Sequence, residues 1–139
     1  MTIIAVVTDS REGRHALVEA VAEAKRLGSD LVAVNLGRAE LDLAELGTDG
    51  VMVAVVDRGG QDKDDSAEAV FDEIAERQAT RLVIGVKRRT PVGKAFLGSL
   101  SQRLLLNSPV PVLAVKLPEG ELPSGAFDNL PAGMRRVTG

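Results

Sequence analysis

The chain has no cysteine, no tryptophan and no tyrosine, and aromatic residues make up only 2% of its 139 positions. Without cysteine there are no disulfides, no thiol nucleophile and no cysteine-ligated metal, a usage that fits a reducing compartment. So few aromatic rings cannot form a stacking platform for single-stranded nucleic acid. A net charge of −3 argues against a general nucleic-acid binder, so any basic cluster must act locally. His15 is the one histidine, expected at the surface. With no second histidine and no paired carboxylate motif, neither a protein-built metal site nor a catalytic residue is expected. No apolar run approaches the roughly 20 residues that span a bilayer. The opening "MTIIAVVTDSREG" has no basic stretch ahead of its short apolar run, unlike a signal peptide. These absences predict a soluble cytoplasmic protein with no nucleic-acid or membrane partner.

Apolar residues make up 45% of the chain, mostly small aliphatics suited to helices packed on a sheet. Ile3 to Val7, Leu31 to Leu36, Val51 to Val56, Arg81 to Ile84 and Val112 to Val115 read as five strands, apolar on both faces. Between the first two, Ala16, Leu17, Ala20, Val21, Ala24 and Leu27 share one helical stripe, and Gly28 is placed to end it. Leu41 to Leu46 reads as a short helix. Asp65 with Glu68 resembles a capping box opening a helix whose buried face is Ala67, Val70, Phe71, Ile74 and Ala75. Ser99 to Leu106 reads as a last helix. Strands alternating with amphipathic helices predict an α/β fold: a parallel sheet with helices on both faces. Residues 1–116 form that domain, and the Pro- and Gly-rich segment 117–139 reads as a tail, flexible or draped on a partner subunit.

Open sheets of this kind bind ligands outside the carboxyl ends of their strands, where strand order reverses. Two segments qualify: "TDS" after the first strand and the Gly85–Ser99 loop after the fourth. Gly85 lets the backbone pass close to a ligand, and Gly98 does so just before a helix. The first amides of that helix, from Ser99, Leu100 and Ser101, lack carbonyl partners and sit at the positive pole of the helix. With the serine hydroxyls they would form an anion site suited to phosphate, surrounded by Lys87, Arg88, Arg89 and Lys94. The plainer alternative is a loop glycine, an N-cap serine and a solvated basic loop. No Walker A motif is present.

Gly85, then "GSLS" from Gly98, then "PVPVLAVK" from Pro109 to Lys116 resemble the C-terminal signature of the universal stress protein A family. "VVTDSREGRHALVEAVAEA" resembles that family's first strand and helix, and the likeness covers about residues 3–116. The family's nucleotide motif is Gly, two residues, Gly, nine residues, Gly, then Ser or Thr. Gly85 and Gly98-Ser99 match its outer elements, while Arg88 replaces the middle glycine. Arg88 either clamps a phosphate or fills the site, and the basic run "KRRTPVGK" favours the clamp.

The resemblance implies a Rossmann-like fold of the adenine nucleotide alpha hydrolase type, with strand order 3-2-1-4-5. It implies an ATP- or AMP-binding stress-response module, with any Mg²⁺ held by phosphates and water. Position by position, Asp9 should lie at the adenosine end and Leu36 should contact adenine. Gly85, Lys87 and Arg88 should line the ribose and phosphate path, and Gly98, Ser99, Leu100 and Ser101 should hold the phosphates. Thr8 and Ser10 replace the family's usual residues beside Asp9; Thr8 is placed to donate to the ligand, the plainer reading being an ordinary strand end. The edge strand Val112–Val115 should pair with its copy in a homodimer, which removes an exposed edge. The competing reading is a nucleotide-free dimeric scaffold with Arg88 in the pocket; a weak ATPase would rest on analogy of fold alone.

Overall fold

The computed structural model describes residues 1–60, 62–86 and 98–117. Lys87, Arg88, Arg89 and Lys94 lie outside the described residues, as does all but the first residue of the tail. Five strands, β1 (Thr2–Val7), β2 (Asp30–Asn35), β3 (Val53–Asp57), β4 (Arg81–Gly85) and β5 (Val112–Val115), alternate with α1 (Arg11–Leu27), α2 (Lys63–Arg77) and α3 (Ser99–Asn107). All four strand pairings are parallel, in the order β3-β2-β1-β4-β5. This is the doubly wound arrangement expected from the alternation of strands and helices.

The two-residue period of the strands sorts their side chains into two cores. Ile3, Ala5 and Val7 of β1 point to one face and pack with Ala16, Leu17, Ala20, Val21 and Ala24 of α1. Ile4 and Val6 point to the other, against Ala67, Val70 and Ile74 of α2 and Leu104 of α3. α1 begins at an N-cap, Ser10, whose hydroxyl accepts from the Gly13 amide, and ends at Gly28 in the left-handed region, φ 65°.

Three local readings change. α2 starts earlier than the Asp65–Glu68 spacing suggests: its N-cap is Asp62, whose carboxylate accepts from the Asp65 amide at 2.8 Å. Asp62 and Asp65 are both suitable cap residues by type, and the hydrogen bond places the start at Asp62. Ala75 is exposed, and Glu73 is buried instead, held by Arg77 at 3.0 Å and Arg58 at 3.3 Å. The short helix between β2 and β3 is a single 3₁₀ turn, Leu43–Leu46, capped by Asp42 and ended by Gly47.

Buried Glu23 of α1 makes a similar cluster with Arg26 and with Arg81 at the start of β4. The Arg26 guanidinium first, and Arg81 after it, hold the Glu23 carboxyl below the usual glutamate range against the opposing effect of burial. His15 is half-buried on α1, 3.6 Å from Glu19. Among the described residues, no helix is long and apolar enough to cross a membrane.

α2 ends at Gln78, the one described non-glycine residue with positive φ, at 50°. A side chain there carries the steric cost that glycine avoids. Gln78→Gly should therefore stabilise the protein by about 0.5–1 kcal/mol. Urea unfolding should show a raised midpoint at unchanged slope; a lowered midpoint would count against this account of the cap.

Candidate functional site

Strand order reverses between β1 and β4: from β1 the chain moves toward β2 and β3, and from β4 toward β5. The crossover α1 lies on one face of the sheet and α3 on the other. Between the two a hollow of about 220 Å³ opens at the carboxyl ends of the strands. Its walls are Thr8, Ser10, Glu12 and Gly13 after β1, Gly85 at the end of β4, and Gly98 to Ser101 opening α3. Val6, Ile84 and Leu104 form its apolar floor.

The α3 side has the features of an anion cradle. Gly98 is the N-cap, in extended backbone, and no side chain caps this end. Among the described residues, nothing lies within 4 Å of a Cβ built at Gly98. The first intrahelical bond runs from the Gln102 amide to the Gly98 carbonyl at 2.9 Å, so the Leu100 and Ser101 amides precede the helical ladder and have no backbone partner among the described residues. The Ser101 hydroxyl donates to the Gly85 carbonyl at 3.3 Å, so it fixes α3 to β4.

On the β1 side, the Thr8 and Ser10 hydroxyls share a hydrogen bond of 2.7 Å. Gly85 has a different task from the one its position in the motif suggests. A Cβ there would lie 2.2 Å from the carbonyl oxygen of Glu12 and 2.5 Å from its carbon. The missing side chain thus lets the first turn of α1 rest on the end of β4, whatever occupies the hollow.

Of the ten residues expected at the site, Thr8, Gly85, Gly98, Ser99, Leu100 and Ser101 line this hollow, while Asp9 and Leu36 do not. Leu36 packs partly buried against the α2-side core, and its amide donates to the Val7 carbonyl at 2.8 Å. Asp9 lines a second hollow of about 290 Å³ on the α1 face, with Arg14, Leu17 and Leu41. Its carboxylate accepts from the amides of Arg38 at 3.0 Å and Ala39 at 3.4 Å, tethering the loop after β2. Those bonds, Arg38 before Ala39, hold the carboxyl below the usual aspartate range, with Arg14 adding to the effect. Lys87 and Arg88 lie outside the described residues. Ser10 lies in the "TDS" segment that the sequence marked, though it was not named as a site residue, while Glu12 and Gly13 were not anticipated. No group of three or more metal-ligating side chains occurs among the described residues.

These features define an open, doubly wound α/β protein with a ligand-sized hollow at its strand-order reversal. The chain belongs to the universal stress protein family, whose model matches residues 38–116. A universal stress protein of Mycolicibacterium smegmatis is 38% identical over 118 residues, covering 75% of this chain and 88% of that one. Among solved structures, a universal stress protein from Archaeoglobus fulgidus superposes with a TM-score of 0.58 at 23% identity, over 83% of this chain and 97% of that one. A universal stress protein in complex with cAMP superposes with a TM-score of 0.53 at 16% identity, over 83% and 96%. The similar structures establish the fold.

Two outcomes follow from the packing. Gly85→Ala should cost about 1–3 kcal/mol, because the added carbon meets backbone and the helix must move. Chemical denaturation measures this, and a cost near zero would mean that α1 is not seated on β4 as described. For Asp9, the lowered pKa means that the tether is fully present above the ordinary aspartate value and is lost as pH falls through the folded value. The Arg38 and Ala39 amide proton shifts should stay constant from about pH 8 to pH 5 and move only below about pH 4. A midpoint at or above the ordinary value would contradict the geometry.

Proposed function

We propose that the protein is an adenine-nucleotide-binding module, for ATP or AMP, that signals in the stress response as a homodimer and performs no chemistry of its own. The observation that carries this reading is the start of α3 at the hollow, where the N-cap Gly98 makes no side-chain cap and no described atom lies within 4 Å of a Cβ built on it. Backbone amides at a helix start favour a phosphate group, and the hollow is too apolar at its floor to attract small ions by charge alone. Support also comes from the related structure that holds cAMP, an adenine nucleotide.

In this reading the Leu100 and Ser101 amides, with Ser99, meet the phosphates. The Thr8 end of β1 faces the ribose, and Asp9 and Leu36 mark the adenosine end. Lys87 and Arg88 belong to the segment joining the two halves of the motif and supply positive charge. Any Mg²⁺ enters with the phosphates. The homodimer forms through β5, which among the described strands is hydrogen-bonded only to β4 and leaves Leu113 38% exposed.

One observation favours the alternative of a nucleotide-free scaffold: Gly85 is already explained by α1, so that glycine does not by itself require a ligand. Calorimetric titration with ATP separates the two. The parent protein should bind, and Gly98→Val should weaken binding at least about tenfold, since its side chain adds bulk beside the proposed phosphate position. The backbone at Gly98, φ −64° and ψ 164°, suits valine, so the variant should keep its fold. Equal affinity in both proteins would exclude the phosphate placement, and no binding at millimolar ATP would favour the scaffold. Light scattering at tens of micromolar should give the mass of two chains; one chain's mass would rule out the dimer.

A further inference from the structure

Glu12 is the one acidic residue among the described residues lining the hollow at Gly98. It stands in the first turn of α1, half-buried, where the positive pole of that helix stabilises its charge. Across the hollow, the first turn of α3 has no acidic residue. Of the described ion pairs and hydrogen bonds, none engages the Glu12 carboxylate. The arginines of Glu23 and Glu73 are all committed elsewhere. The hollow proposed for an anion is thus lined, on the wall opposite α3, by an acidic residue.

From this placement we infer that Glu12 is a charge-selecting residue: it disfavours a bare nucleoside polyphosphate and favours one that carries a divalent cation. The inference rests on the nucleotide reading above. A free triphosphate brings several negative charges into a hollow of about 220 Å³ that already holds a carboxylate, and like charges at such range repel appreciably. A hard divalent cation reverses the sign of the interaction. Mg²⁺ prefers oxygen ligands and is commonly held by one or two carboxylates together with phosphate oxygens. Glu12 can supply one such carboxylate. The described residues contain no preformed cluster that would hold the ion without the ligand. Metal and nucleotide should therefore bind together, and adenosine, which lacks the charge, should be indifferent to Glu12.

The test is a set of calorimetric titrations of the parent protein and Glu12→Gln with ATP plus Mg²⁺, with ATP plus EDTA, and with adenosine. In the parent, Mg²⁺ should strengthen ATP binding by about tenfold or more. In Glu12→Gln that factor should fall to about threefold or less, mainly because metal-free ATP binds more tightly. Adenosine affinity should be the same in both, and Glu12→Asp should restore part of the Mg²⁺ dependence. An unchanged Mg²⁺ factor in Glu12→Gln, with ATP still bound, overturns the role of Glu12 alone. Absence of any binding by the parent protein overturns the nucleotide reading, and this inference with it. If Glu12→Gln unfolds, as circular dichroism would show, Glu12→Ala decides instead: a Mg²⁺ factor reduced to about threefold or less supports the role of Glu12, and an unchanged factor overturns it.

Discussion

The carboxyl end of the sheet depends on contact between backbone and backbone. The first turn of α1 lies directly on the end of β4, with the Glu12 carbonyl in the space a side chain at position 85 would fill. At the end of β2, a Cβ at Gly37 would lie 3.0 Å from the Asp9 amide nitrogen and closer still to its carboxylate, so the loop after β2 also closes onto the loop after β1. Such approaches leave little slack, because peptide groups cannot change rotamer to relieve a clash. The positions of α1, β4 and the β2 loop are consequently fixed relative to one another. The hollow between α1 and α3 inherits that rigidity on one wall. Its other wall is anchored by the Ser101 hydroxyl on the Gly85 carbonyl.

Much of the described basic charge is already committed to buried carboxylates. Arg26 and Arg81 are held by Glu23, and Arg58 and Arg77 by Glu73. No basic side chain among the described residues lines the hollow. The described wall on the α3 side offers peptide dipoles, whose field is short-ranged and directional. In a protein of net charge −3 such local fields act at a range where the distant charges are screened.

Much of the architecture was legible in the sequence, and the reasons differ from element to element. β5 lies at Val112–Val115, as its apolar run between prolines indicated, because few alternatives exist after Pro111. The α1 stripe and its glycine stop were equally plain. The start of α2 was not, since Asp62, Asp64 and Asp65 are each competent caps and only packing decides among them. The buried Glu73 was unreadable for a related reason: its arginine partner Arg58 comes from the far side of a loop. The site was half legible. The spacing from Gly85 to Gly98 marked two segments that line one hollow, yet the packing duty of Gly85 depends on a carbonyl far away in the sequence. Glu12 gave no local signal at all, because its significance arises only when two helix starts face each other.

The crossover from β2 to β3 has only a 3₁₀ turn where a parallel sheet ordinarily carries a helix. β3 is left thinly clad: Ala54 and Val55 are exposed on opposite faces, and Met52 just before it is 76% exposed. Parallel strands draw their strength from cover on both sides. β3 therefore holds to the sheet chiefly through its ladder with β2 rather than through cover on its faces. The hollow, set between β1 and β4, lies on the other side of β2 from that margin, so a change in the cladding of β3 reaches it only through two intervening strands.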